Sequence, residues 1–157
     1  MPPQFLFDLS NIDLDRIVYQ RDVIRQCNPQ RGAMEMLDAI VHADPDKGEI
    51  VGYKDVRADE FWVAGHIPGR PLFPGVLMIE AAAQLASFYS RQFLKLEGFI
   101  GFGAVDGVKF RGQVVPGDRL YLVGLKRWVR HRRVNCFMQG VVNGALVFES
   151  EITGVQL

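Results

Sequence analysis

The chain has 157 residues, 48% of them hydrophobic and 23% charged, with Lys+Arg and Asp+Glu balanced at 18 each. That length suits one domain with a sizeable core, and the charge balance gives no global pull toward nucleic acid or an anionic membrane. Cys27 and Cys136 stand far apart and His42, His66 and His131 are scattered, which argues against a zinc site. No apolar run approaches the ~18 residues needed to cross a bilayer, so no membrane insertion is expected. The opening residues lack a basic and then apolar leader pattern, so the expected location is cytoplasmic.

Residues 1–9 read as a loose lead-in. Ser10 or Asn11 suits a helix cap, with Asp13 and Asp15 placed against the positive end of the dipole. Residues 13–27 then fit one or two short amphipathic helices, ended by Asn28-Pro29. Residues 1–26 are therefore taken as an N-terminal extension, expected to be helical, on a single domain spanning 1–157. Met34 to Ala43 alternates imperfectly and is expected as a strand. The turn Asp44-Pro45-Asp46-Lys47-Gly48 leads to a second strand from Glu49 to Val56.

From Val76 to Ala86 the residues are V-L-M-I-E-A-A-A-Q-L-A, in which only Glu80 and Gln84 are polar. A helix apolar nearly all round is a buried one, and alanine is the best helix former. Glu80 and Gln84 share a face, which Ser87 and Arg91 continue. Leu96 to Gly101 reads as a connector. Phe102 to Phe110 follows as a strand, with Gly103 and Gly107 marking a bulge or close backbone approach. Three more strands are expected over Leu120–Arg130, Arg133–Val142 and Ala145–Val155, the last two joined by Asn143-Gly144, a strong hairpin signal. Short connections favour antiparallel pairing, and the sheet must bury one face. The fold class is thus α+β, a curved antiparallel sheet wrapped around one long central helix.

The chemistry concentrates around that helix. His66 lies in a Pro/Gly-rich loop, where functional groups tend to be placed, and imidazole exchanges protons near neutral pH. Glu80 follows on the helix that this loop enters, and a carboxyl group on a buried helix is costly unless paired or used. Between them, Pro74-Gly75 opens the helix, where N–H groups are unsatisfied and suit an oxygen gaining negative charge. Acid, base and oxyanion donor together describe proton abstraction next to a carbonyl with loss of a β substituent. Simple structural roles remain open for both residues: a solvated loop histidine, and a glutamate hydrogen-bonded to Gln84.

The run Gly65–Gln84, G-H-I-P-G-R-P-L-F-P-G-V-L-M-I-E-A-A-A-Q, closely resembles the active-site segment of the β-hydroxyacyl-[acyl-carrier-protein] dehydratases of the FabZ type. Val108-Lys109-Phe110-Arg111 and Val114-Val115-Pro116-Gly117-Asp118 resemble that family's second signature, and the likeness covers about residues 22 to 155. The resemblance implies a hotdog fold and a homodimer with two shared active sites, in some members a trimer of dimers. His66 would handle the C2 proton of a (3R)-3-hydroxyacyl thioester and Glu80 of the partner subunit would protonate the departing hydroxyl, giving a trans-2-enoyl thioester in fatty-acid biosynthesis. The Gly75 N–H would hold the thioester carbonyl, Gln84 would orient Glu80, and Phe73 and Pro74 would line the substrate site. No metal or organic cofactor is implied. The partner is acyl carrier protein, for which Lys109, Arg111, Arg127, Arg130, Arg132 and Arg133 are candidate basic contacts.

The chain also departs from the family. Gln30 stands where a histidine is usual, Ala33-Met34 replaces Pro-Phe, Ile67 and Phe73 replace the usual Phe and Met, and Gly112-Gln113 replaces a basic residue and proline. Glutamate rather than aspartate at position 80 favours the simple dehydratase over the type that also isomerises. Two alternatives stay open at this level: a hotdog acyl thioesterase, and a non-catalytic acyl-binding hotdog subunit.

Overall fold

A computed structural model describes residues 4–157. In chain order the elements are β1 (Tyr19–Gln20), α1 (Arg21–Cys27), a 3₁₀ turn (Gly32–Met34), β2 (Ala39–Asp44), β3 (Glu49–Asp55), α2 (Gly75–Gln92), β4 (Ile100–Phe110), β5 (Arg119–Arg130), β6 (Arg133–Val142) and β7 (Ala145–Gln156). The seven strands form one antiparallel sheet in the order β1-β2-β3-β5-β6-β7-β4, which leaves β4 at one edge. α2 lies against β3 to β7, the hotdog arrangement.

The small side chains of α2 set its depth. Ala81, Ala82, Leu85 and Phe88 are fully buried and share a core with Leu120, Leu122, Met138 and Phe148 from the concave face of the sheet. Alanine lets the strands come close, and Phe88 fills the space beyond. The β6–β7 turn has positive φ at both central residues, Asn143 (50°) and Gly144 (76°), as a type I′ hairpin requires. In β4 the register shifts between Phe102 and Ala104 and again between Asp106 and Lys109, around the two glycines. Those bulges bend the strand around α2.

Two expectations need correction. The stretch from Met34 to Ala43 is not one strand: Gly32–Met34 is a 3₁₀ turn and β2 begins only at Ala39. The cause is α2, because Gln84 Oε1 accepts the Met36 N–H (2.9 Å) and its Nε2 donates to the Met34 carbonyl (2.7 Å). A side chain thus satisfies the backbone groups that a sheet ladder would otherwise take. Nor does Ser10 cap a helix. Its N–H and hydroxyl both donate to the Asp8 carboxylate, a local turn that competes with helix formation. Between residues 4 and 26, the helical part is the stretch of α1 from Arg21 onward.

The residues before β1 have another task. Leu6, Phe7, Leu9 and Leu14 pack on Ala39, Val41, Val51, Tyr53, Val123 and Val141, covering the sheet face that points away from α2. This strap is fastened by Gln139, whose Oε1 accepts the Leu6 N–H (2.9 Å) and whose Nε2 donates to the Gln4 carbonyl (2.8 Å). Gln139→Ala is expected to cost about 1–3 kcal/mol in denaturant unfolding, because two partly buried bonds lose their partner. An unchanged midpoint would mean that the strap contributes nothing to stability.

Among the described residues no helix is long and apolar enough to cross a membrane, and no cluster of His, Cys, Asp and Glu could hold a metal ion. Both cysteines are free, and burial pushes the Cys136 thiol up to about 12.

Candidate active site

The loop from Trp62 to Pro74 is tied down at several points. The His66 N–H donates to the Trp62 carbonyl (2.8 Å), the Leu72 N–H to the His66 carbonyl (2.9 Å), and the Phe73 N–H to the Val114 carbonyl (2.8 Å). Phe73 is buried edge-on against Trp62, with ring centroids 5.4 Å apart, so it supports the loop from beneath. These bonds hold an exposed His66 ring in a defined place. His66 Nδ1 lies 2.8 Å from the Leu72 carbonyl oxygen. A carbonyl only accepts, so Nδ1 carries the hydrogen, and in the neutral ring Nε2 keeps a free lone pair. That is the tautomer a general base needs.

The segment that leads into the loop is anchored by an ion pair. Lys54 Nζ and Glu60 Oε1 are 2.7 Å apart, with side chains only 5% and 7% exposed. Glu60 Oε2 also accepts the Arg57 N–H (2.7 Å), and Lys54 sits 5.7 Å from the Phe73 ring centroid.

Pro74 precedes α2, and its carbonyl accepts the N–H groups of Leu77 and Met78. Gly75 is the first helical residue, so its N–H has no acceptor within the helix. Phe110 from β4 lies directly over it: a Cβ placed on Gly75 would sit 2.7 Å from Phe110 Cε1. Any side chain at position 75 must therefore push the ring aside. Gly75→Ala and Phe110→Ala are expected to be coupled by about 1 kcal/mol in a double-mutant stability cycle, the alanine at 110 relieving the one at 75. Additive effects would remove that contact from the account. Nothing in the sequence marked Phe110 as a cover for the helix start, because the contact joins two motifs 35 residues apart.

Glu80 lies one and a half turns into α2, half-buried. Gln84 Nε2 donates to its Oε2 at 2.7 Å, in addition to the bonds that Gln84 makes with Met34 and Met36. Gln84 is 2% exposed, and Asn28 Nδ2 donates to its backbone carbonyl (2.9 Å). The Glu80 carboxylate is thereby fixed to the segment between α1 and β2, with Oε1 left for other use. Pairing with Gln84 was legible in the i, i+4 spacing. The role of residues 28–36 as its support was not.

A cavity of about 250 Å³ opens beside Glu80, lined also by Ala83, Ser87 and the first residues of β4. His66 is not among its lining residues. Of the basic residues considered at the sequence level, Arg111 is paired with Glu149 and Arg127 with Glu151, whereas Arg130, Arg132 and Arg133 gather at the β5–β6 turn without an ion pair among the described residues.

Residues 28–151 match the model of the FabA-like domain. The chain is 35% identical over 130 residues to a 3-hydroxyacyl-[acyl-carrier-protein] dehydratase FabZ of Listeria monocytogenes, covering 82% of this chain and 90% of that protein. To the FabZ of Desulfotalea psychrophila it is 39% identical, covering 79% and 84%. Among solved structures, the dehydratase heterocomplex ApeI:P from Xenorhabdus doucetiae aligns with a TM-score of 0.72 over 85% of this chain and 90% of that one; at 14% identity it speaks for the fold alone.

Proposed function

The chain belongs to the FabA-like family, and from that premise we propose that it is a FabZ-type dehydratase, removing water from (3R)-3-hydroxyacyl thioesters of acyl carrier protein to give trans-2-enoyl thioesters in fatty-acid biosynthesis. One observation carries the mechanism. His66 has Nδ1 committed to a carbonyl and Nε2 free, while Glu80 is held by Gln84 through one oxygen.

His66 Nε2 takes the C2 proton, and the electron pair moves toward the thioester oxygen. The Gly75 N–H holds that oxygen as charge builds on it. The enolate then collapses to the C2–C3 double bond, the C3–O bond breaks, and a proton on Glu80 Oε1 leaves with the hydroxyl as water. Returning the proton from His66 to Glu80 through solvent closes the cycle. Phe73 and Pro74, both buried, support the loop and the start of α2 from beneath this site. No step calls for a metal or an organic cofactor.

The reading has the two groups meet across a dimer, His66 of one protomer facing Glu80 of its partner. The cavity beside Glu80 and the unpaired edge of β4, with exposed Phe102 and Phe110, support that arrangement. A trimer of dimers is the proposed larger assembly, the cytoplasm its proposed location, and the basic β5–β6 turn the proposed contact for the acidic carrier.

The test is interconversion of 3-hydroxybutyryl and crotonyl thioesters followed by ultraviolet absorbance, first for wild type and then for a mixture of His66→Ala and Glu80→Ala proteins. The mixed dimer keeps one intact site and one doubly damaged site, so activity is expected to return on mixing. If subunits exchange and no activity returns, the shared-site arrangement is wrong. Hydrolysis of plain acyl thioesters without water loss from hydroxyacyl ones would point to a thioesterase instead.

A further inference from the structure

The cavity beside Glu80 is walled mostly by apolar side chains, among them Ala83, Ala86, Ile100, Val134 and Ile152. In such a space the few polar groups fix the orientation of what enters. Four polar side chains reach it: Glu80, Ser87, Ser90 and Gln30. Ser90 is committed, its hydroxyl donating to the Ala86 carbonyl (2.8 Å). Glu80 gives Oε2 to Gln84 and keeps Oε1. Gln30 Oε1 is buried, and no donor reaches it among the described residues. A buried amide oxygen without a donor is costly, so it calls for an explanation.

The backbone around Gln30 is pinned. Asn28 Nδ2 donates to the Gln84 carbonyl (2.9 Å), and Arg31 Nη1 donates to the carbonyls of Asn28 (2.7 Å) and Gln30 (2.8 Å). The first of these bonds goes to the helix that carries Glu80. One protomer thus presents two side-chain oxygens without a partner to one cavity, Gln30 Oε1 and Glu80 Oε1. A single ligand group meets both: a hydroxyl, which donates its hydrogen to Gln30 and offers a lone pair to a protonated Glu80. A methylene there would leave Gln30 desolvated, and a carbonyl would set one acceptor against another.

We propose that Gln30 binds the C3 hydroxyl of the substrate, accepting its hydrogen while Glu80 of the same protomer protonates its oxygen. This rests on the dehydratase reading of the site. As the C3–O bond breaks, the bonding pair leaves with the oxygen, which takes the proton of Glu80, and the departing water still donates to Gln30. Protonation makes the hydroxyl hydrogen more acidic, so its bond to Gln30 strengthens on the way to the transition state. The test compares two pantetheine amides of equal chain length, (3R)-3-hydroxybutyryl and butyryl. An amide lacks the C2 acidity that a thioester confers, so neither reacts. Their Kd values are measured by calorimetry on the native assembly of wild type, Gln30→Met and Gln30→His.

Wild type is expected to bind the hydroxylated amide at least about tenfold tighter than the plain one. Gln30→Met, which has no amide oxygen, should lose most of that preference. Gln30→His, which can present a ring nitrogen, should retain part of it. Each ratio is taken within one protein, so a general loosening of the site cancels. A wild-type ratio near one, or an equal ratio in wild type and Gln30→Met, overturns the proposal. Turnover of 3-hydroxybutyryl thioester by wild type is read separately. Failure there would count against the reaction, while the binding ratio still decides what Gln30 holds.

Discussion

Replacing His66 with alanine is expected to lower turnover of a 3-hydroxyacyl thioester by about 10²- to 10⁴-fold, the usual contribution of a general base. The melting temperature should move little. The ring is exposed and its one hydrogen bond goes to the Leu72 carbonyl, while the loop keeps the backbone bonds that tie Leu72 and His66 to each other and Phe73 to Val114. Losing an exposed bond of this kind costs about 1 kcal/mol. The contrast between a large catalytic loss and a small stability loss is the measurement, made by steady-state assay and thermal unfolding on the same sample. If activity falls only a few-fold, His66 is a loop residue and the base lies elsewhere. If the protein unfolds, the tied-loop description is wrong.

Glu60→Ala is expected to destabilise the fold by about 3–5 kcal/mol, the usual cost of leaving one member of a buried pair uncompensated. Lys54 is nearly inaccessible and sits against the Phe73 ring, so it cannot swing out to water without disturbing the support of the active loop. The same change should therefore reduce turnover, although neither residue touches substrate. Adding Lys54→Met to Glu60→Ala should recover most of the lost stability, since a methionine fits an apolar setting and removes the stranded charge. Equilibrium urea unfolding of the two single variants and the double variant decides it. A double variant no better than Glu60→Ala would show that loss of the Arg57 N–H acceptor, rather than the charge, dominates.

What could be read from the sequence follows from where the deciding interactions lie. The ends of α2 and of β5, β6 and β7 depend on local rules: alanine content, hairpin glycine, alternating apolar residues. The structure places those elements within a residue or so of the reading, apart from α2, which runs on to Gln92. The bulges of β4 were legible for the same reason, since glycine marks them. The stretch around Met34 misled because its strand-like pattern is overruled by one distant side chain, Gln84. The N-terminal residues misled in a similar way. Their apolar side chains at 6, 7, 9 and 14 answer to the outer face of the sheet rather than to a helical period. At the candidate site, the spacing of Glu80 and Gln84 let their pairing be read, whereas what holds them and the His66 loop in place was not. Asn28, Phe110 and the Lys54–Glu60 pair reach the site from distant parts of the chain, and no local pattern announces a contact of that kind.

The strap at the start of the chain has a consequence for the order of events during synthesis. Its fastener, Gln139, lies 133 residues after Leu6, and the apolar surface under the strap is assembled from β2, β3, β5 and β6. Domain folding on the ribosome proceeds as the chain emerges, but this segment, which emerges before every strand, has nothing to dock on until β6 has followed it out. Closing so long a loop is entropically slow, and the contact becomes favourable only when the sheet is already in place. The strap is thus among the last parts to settle. Until then the outer sheet face is bare, and its apolar side chains are open to contact with other chains.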